Sequence, residues 1–384
     1  MLNILYIGPN YSEWGQEHCP CSLAAAKWAR GFLSALSKVA NVTALTHTYF
    51  IPWPKGNKIW CGHDDRFYPK GWDCETVSYP VLKYVREWLW AWMYPRKARH
   101  IIQEKNIDVV LFYNCEYPHE RAMIRRIAKF GVPCVPIILD GDDPRRDNWG
   151  WLKETALNSI GFITLSWWVH RNIPANTGKP SYHFDGGADG WRGNCIESGV
   201  GREEKWLVHT GALDRWRGLD FMVDVVKRMT ARRKDVKFIF CGKSSEKVLK
   251  EVFNGNPQVE LPGFVSEEEM ARICNCADVL LNVRDPNHPD NILNYPSKLP
   301  HYLSFGRPVV STRLQSLSPD YDEVVNFADG DAVESYIKKV EEVLLWDAQR
   351  KAEEYHKIKD WFERRKSWDV MVKGLVDWLE DMVK

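Results

Sequence analysis

The residues best suited to chemistry lie in 285–312. Lys298 follows Ser297, a good N-cap type, and Pro300 is tolerable in a first helical turn. A helix N-terminus offers free N–H groups, and a lysine beside it makes a place to hold phosphate. The preceding Pro/Asn/Asp/His loop carries Asn291, Asn294, Tyr295 and Pro296 and is too rich in breakers for helix or strand. His301 sits one turn into the helix, where Lys298 and the helix N-terminus disfavour its charged form. A second cluster, Asp140-Gly141-Asp142-Asp143, follows an apolar run. Asp140 could orient a hydroxyl or take its proton, or the cluster could be an Asx-stabilised turn. Cys19, Cys21, Cys61, His63 and Cys74 are conceivable zinc ligands, but their spacing departs from Cys-x2-Cys, so buried thiols and surface histidines are expected. No metal is predicted. Finally, Trp88, Trp90, Trp92 and Tyr94 precede Arg96, Lys97, Arg99 and His100. Such a segment can touch a membrane surface, stack on bases, or be a core-packing helix with a solvated tail. The last is favoured, and Pro95 should interrupt the helix.

The elements that must position these groups alternate. An apolar strand at 2–8, a helix at 23–38 and a strand at 39–46 argue for a parallel, doubly wound sheet. Its ligand loops lie at the carboxyl ends of strands. The first such loop, 9–21, carries Gly15, and Gly8 and Gly15 form no GxGxxG fingerprint. Residues 50–80 read as a long irregular insertion. Strands are expected at 107–113, 134–139, 161–166, 205–213, 236–242, 259–265, 277–283 and 309–312. A capping box opens at Ser266, and 331–384 reads as helical.

Pro296-Ser297-Lys298-Leu299, Tyr302-Leu303 and Gly306-Arg307-Pro308-Val309-Val310 together resemble the signature of group 1 glycosyltransferases, a retaining family with the GT-B fold. Gly211-x-Leu213 with Arg217-Gly218 resembles that family's glycine and basic element. The Asp185-Gly186-Gly187-Ala188-Asp189 turn and Gly263-Phe264-Val265 also fit its order. The resemblance is strong over 205–312 and weak before 131. It implies two Rossmann-like parallel α/β domains facing across a cleft, with a C-terminal helix crossing back. Domain bounds of 1–195, completed by about 360–384, and 203–359 follow.

It also implies that Arg217 and Lys298 neutralise a nucleotide diphosphate, with Arg215 a weaker candidate. Gly15, Gly211, Phe264, Val265, Asn291, Asn294, Tyr295, Pro296, Ser297 and His301 would line the donor site, and Asp140 would act on the acceptor side. The chain departs from the family in having His301 where an acid usually holds the ribose, Asp140 where histidine is common, and Ala212 where many members have a second arginine.

The 384 residues suit two domains, and 27% charged with 45% hydrophobic residues is a globular composition. A net charge of +1 gives no global argument for nucleic acid. Ten scattered cysteines, with no secretory signal ahead of them, suggest reduced thiols in a cytoplasmic protein. No apolar run is long enough to span a membrane. The expectation is a retaining, metal-independent glycosyltransferase of glycan biosynthesis. It would use no cofactor beyond a nucleotide-sugar co-substrate and would take a hydroxyl-bearing acceptor. Two alternatives stay open: transfer to a modified nucleic-acid base, hinted at by Arg96-Lys97 and Arg145-Arg146, and a non-catalytic sugar-nucleotide-binding relative. Peripheral membrane contact is a further option.

Overall fold

A computed structural model describes residues 1–18, 23–46, 50–139, 149–194, 202–213, 218–242, 246–288 and 290–384. The chain divides into two compact units, Met1–Gly187 with Trp368–Lys384, and Ala188–Ser367. Residues 188–194 and 360–367, which the sequence assigned to the first domain, thus pack with the second.

The first unit contains β1 (Asn3–Ile7), β2 (Asn41–Thr46), β3 (Trp60–Cys61), β4 (Cys74–Thr76), β5 (Tyr79–Pro80), β6 (Val109–Tyr113), β7 (Cys134–Ile138), β8 (Phe162–Thr164) and β9 (Ser181–His183). Seven of these form one sheet in the order β4-β2-β1-β6-β7-β8-β9, and every pairing is parallel. Ile4, Leu5, Val109, Val110 and Val135 are fully buried, as expected where helices cover both faces.

Three sequence expectations are corrected in this unit. The 50–80 insertion is not wholly irregular. Its Cys74–Thr76 segment extends the sheet edge beside β2, and β3 pairs antiparallel with β5. The 9–21 loop contains a helix at Glu13–His18. There, a side chain on Gly15 would meet the Phe67 carbonyl oxygen at 2.6 Å, so Gly15 admits a close-packed backbone segment. Pro95 does not interrupt its helix, which runs from Arg86 to Lys105. Proline removes the N–H that would bond the carbonyl four residues back, and Arg126 Nη1 donates to that carbonyl, Ala91 O, instead.

The helix Trp368–Val383 completes this unit. Gly31, in the helix Leu23–Leu36, leaves room for the Trp368 indole, which a Cβ at Gly31 would meet at 2.4 Å. Lys38 Nζ pairs with Asp369 at 2.7 Å.

The second unit contains β10 (Lys205–Thr210), β11 (Val236–Cys241), β12 (Val259–Gly263), β13 (Val279–Asn282), β14 (Val309–Ser311) and β15 (Asn326–Phe327), in the parallel order β12-β11-β10-β13-β14-β15. The short β15 and the 3-10 turn Pro319–Glu323 have no counterpart in the sequence reading. Residues 331–384 hold three helices rather than one continuous element, with Asp347 capping the second through the Arg350 N–H at 2.7 Å. Ser266 caps its helix as expected, accepting from the Glu269 N–H at 3.2 Å. Ser297 does not cap. Its backbone is already helical (φ −55, ψ −15), and its side chain makes no capping hydrogen bond. Among the described residues, no helix is long and apolar enough to cross a membrane.

Candidate active site

In the second unit the strand order runs outward from β10 in one direction and from β13 in the other. In open parallel sheets, ligands bind at the carboxyl ends of the strands flanking such a switch point. β10 ends there in His209 and Thr210, followed by Gly211 at φ +85. A left-handed φ favours glycine. A Cβ at Gly211 would lie 3.9 Å from Lys298 Nζ, so the missing side chain leaves space in front of the ammonium. Gly242, at the end of β11, lies so close that a Cβ would meet the Gly211 carbonyl oxygen at 2.6 Å.

The helix Lys298–Leu303 is pinned to the same edge. Its buried Tyr302 hydroxyl accepts from the Thr210 N–H at 2.7 Å. Lys298 is thereby set against His209, with Nζ 3.0 Å from His209 Nε2. His209 Nδ1 lies 3.0 Å from the Leu281 carbonyl oxygen. A carbonyl only accepts, so Nδ1 carries the proton and Nε2 accepts from the ammonium. Burial holds His209 neutral, and the charges of Lys298 and Arg284 push its pKa down further. The two cations beside it make the local field positive, which suits a phosphate-bearing ligand.

Arg284, just beyond β13, is buried and orders the loop behind this edge. Its Nη1 reaches the Asn291 side-chain oxygen at 3.4 Å and the Asn294 carbonyl at 3.3 Å. Asn291 is fully engaged in that loop, donating to Asp285 O at 2.7 Å and receiving Ser316 Oγ at 3.1 Å through its carbonyl. Tyr295 is buried with its hydroxyl 2.5 Å from that of Tyr321, and Pro296 is buried too. These three build the loop rather than line it. Asn294 differs: its Oδ1 is buried with no hydrogen-bond partner among the described residues. His301 is half-buried, with its ring edge-on to Phe305 at 5.0 Å. Phe264 is 68% exposed just past β12, Val265 is half-buried, and Ser297 is exposed.

Of the expected donor residues, the structure therefore brings Gly211 and Lys298 together. It adds His209, Thr210, Tyr302 and Arg284. The signal for the first two was a polar pair closing an otherwise apolar strand. Arg215 and Arg217 lie outside the described residues, as do Asp140, Asp142, Asp143, Arg145, Arg146, Cys19 and Cys21. Burial pushes Cys74 up to about 12. His63 Nδ1 meets Thr76 Oγ1 at 2.8 Å and Nε2 meets Asp65 at 2.6 Å.

The first unit repeats the topology. Its order changes direction between β1 and β6, and there lies a cavity of about 610 Å³. Gly8 and Asn114, at the two strand ends, line it together with Trp90, Tyr117, His119 and Glu120. A Cβ on Gly8 would meet Tyr113 Cβ at 2.4 Å, so only glycine lets the strands' ends approach. Asn114 is held at φ +66, and its Oδ1 is buried without a hydrogen-bond partner among the described residues. Residues in such strained positions cluster at ligand sites. Burial pushes Glu120 up to about 7, although its carboxylate accepts the Tyr117 N–H at 2.9 Å. Burial also pushes His119 down.

Residues 204–345 match the family model described as glycosyl transferases group 1. Among solved structures, a glycosyltransferase from Rickettsia africae is similar at 9% identity and TM-score 0.71, with 100% of this chain and 99% of that chain covered. A sucrose-phosphate synthase from Thermosynechococcus elongatus is similar at 11% and 0.70, with 99% of each covered. Anabaena HepE in complex with UDP is similar at 11% and 0.66, with 99% and 100% covered. At such identities these show the fold, a GT-B pair of parallel α/β domains. No curated protein matches the chain.

Proposed function

We propose, from the match of residues 204–345 to the group 1 glycosyl transferase model, that the chain moves a sugar from a nucleoside-diphosphate sugar to an acceptor hydroxyl with retention and without a metal. The observation that carries the proposal is the Lys298–His209 pair facing the gap at Gly211. An ammonium fixed at a strand-end switch point can meet the charge that develops on a departing diphosphate. Neutral His209 cannot compete for that anion. Its Nε2 lone pair holds the ammonium until phosphate arrives.

Arg217, with Arg215 beside it, would take the other phosphate oxygens, since a guanidinium fork binds two at once. Asn294 Oδ1 would accept from a sugar hydroxyl. Phe264 and Val265 would lie against the base, and His301 would lie by the ribose. UDP is the first nucleotide to try, because a GT-B protein of similar fold was solved with it.

The cavity at β1 and β6 would hold the acceptor, with Asn114 Oδ1 and the Glu120 carboxyl receiving hydroxyl protons and Asp140 on the same side. The test is a stability screen of the full chain against UDP, GDP, ADP, dTDP and their sugars. A ligand that binds only the native state raises the melting temperature. Transfer assays follow with the stabilising donor, in excess EDTA, with the anomer of the product read by NMR. Loss of activity in EDTA, restored by manganese or magnesium, would refute the metal-free reading, and an inverted anomer would refute retention. Donor binding with neither transfer nor hydrolysis would identify a non-catalytic relative.

A further inference from the structure

The 610 Å³ cavity and the His209 edge are absorbed by the proposed reaction, but a surface beside the cavity is not. Eight of the sixteen exposed large apolar residues among those described fall in 51–92: Ile51, Trp53, Ile59, Trp60, Tyr84, Val85, Trp88 and Trp92. They are neighbours in space through the backbone. Trp53 N–H donates to Val81 O at 2.9 Å, Val81 N–H donates to Ile59 O at 2.7 Å, and Trp60 pairs with Pro80. The strip continues onto the helix Arg86–Lys105. At 3.6 residues per turn, positions 85, 88, 92 and 96 fall within about a quarter of its circumference.

That helix has two aromatic faces. Trp90 and Tyr94 are buried against the cavity, while Trp88 and Trp92 are 67% and 43% exposed. Tyr84 is held at φ +68 with 79% of its surface exposed. A bulky residue in the left-handed region is strained, and this one presents its aromatic ring to solvent.

The charge around this strip is one-sided. Segments 50–63 and 81–100 contain Lys55, Lys58, Lys83, Arg86, Arg96, Lys97 and Arg99 against the single acid Glu87, and the acids of the intervening 64–80 stretch are engaged, Asp64 with Arg66, Asp65 with His63, Asp73 with Lys105 and Glu75 with Lys97. Arg86 pairs with Glu87, and Lys97 pairs with Glu75. The other five basic residues are exposed. The Arg96 guanidinium lies 3.3 Å from the Trp92 ring centroid, and Lys83 lies 4.4 Å from that of Tyr84.

Indole and phenol rings are amphipathic and settle at the level of lipid headgroups, and lysine and arginine near an anionic surface each add attraction. We propose that this face docks the protein on an anionic bilayer surface, with the tryptophans in the headgroup layer and the five cations against lipid phosphates. An apolar protein partner would not call for the cation excess. A nucleic acid would not call for Ile51, Ile59 and Val85.

The test is co-sedimentation of the full chain with vesicles of phosphatidylcholine, with and without phosphatidylglycerol. Binding is expected with the anionic lipid and is expected to weaken with salt. Lys55→Ala/Lys58→Ala/Lys83→Ala should lower partitioning on the order of a hundredfold. Trp88→Ala/Trp92→Ala should lower it as well, without changing UDP affinity, because none of these residues is placed in the donor site. Absence of vesicle binding, or equal binding by parent and both variants, would overturn the proposal. So would a concentration-dependent dimer abolished by the tryptophan variant, or preferential binding to DNA.

Discussion

Replacing Lys298 by methionine isolates the charge that the proposed mechanism depends on. Methionine keeps most of the aliphatic stem, so packing of the helix Lys298–Leu303 is disturbed little, and the ammonium 3.0 Å from His209 Nε2 is lost. A charge-assisted hydrogen bond to phosphate is worth about 1.5–3 kcal/mol, which predicts a fall in UDP affinity of about ten- to 150-fold. His209 should not confound the result. Burial is the largest cause of its depressed pKa, with Lys298 second, so the ring stays neutral near pH 7 in the variant.

Calorimetric titration with UDP, UMP and uridine supplies an internal control. The loss should be greatest for the diphosphate, smaller for UMP and absent for uridine. An unchanged UDP affinity in a folded variant would remove Lys298 from the phosphate site. An equal loss for all three ligands would show that the lysine shapes the pocket instead of meeting charge.

Tyr302→Phe deletes the hydroxyl that accepts the buried Thr210 N–H. The orphaned donor should cost about 1–3 kcal/mol in denaturant unfolding and weaken UDP binding with it, and a variant as stable as the parent would refute the pinning role. Glu120→Gln tests the first unit. The Glu120 pKa rises from 4.5 to about 7 on folding. Its neutral form therefore favours the folded state below pH 4.5, and that contribution is lost as pH rises towards 7. Melting curves should show the parent losing stability relative to Glu120→Gln between pH 4.5 and 7 and running parallel above, and a pH-independent difference would refute the raised value. His301→Glu should strengthen preference for UDP over dUDP, because a carboxylate accepts from two ribose hydroxyls where neutral histidine offers one acceptor. An unchanged ratio would assign His301 to packing on Phe305.

What could be read from the sequence was whatever is local. Apolar runs such as Ile4-Leu5-Tyr6 and Val279-Leu280-Leu281 announce strands by composition, and Lys298 stands out beside the breakers that precede it. What could not be read depends on pairing between distant segments. His209 becomes a fixed neutral partner only because β10 lies beside β13, which brings the Leu281 carbonyl to Nδ1. Arg284, which the sequence reading did not single out, folds back on Asn291 and Asn294. Pro95 was misread because its compensating donor, Arg126, sits on another helix. The need for glycine at position 15 comes from the Phe67 backbone, which approaches where a side chain would stand. In each case the deciding contact is more than 30 residues away, or its meaning depends on the fold rather than on the residue type.

The two units share a device and differ in charge. Each opens a site where strand order reverses, and each needs a glycine for the approach. Gly8 clears Tyr113, and Gly218 clears the Arg284 backbone, which a Cβ would meet at 3.1 Å. At the second unit's edge, Lys298 and Arg284 make protonation of His209 unfavourable, and such a field attracts anions. At the first unit's edge, burial instead raises the Glu120 pKa to about 7 and lowers that of His119, and the two full charges that line the cavity, Arg86 and Glu87, neutralise each other as an ion pair. Weakly charged groups among aromatic rings discriminate against a diphosphate and favour a ring that offers hydroxyls on one side and C–H groups on the other. Under the proposed function, the anionic donor would therefore go to Ala188–Ser367 and an uncharged hydroxyl acceptor to Met1–Gly187. A charged acceptor bound more tightly than its neutral analogue, in a manner abolished by Asn114→Ala, would contradict that assignment.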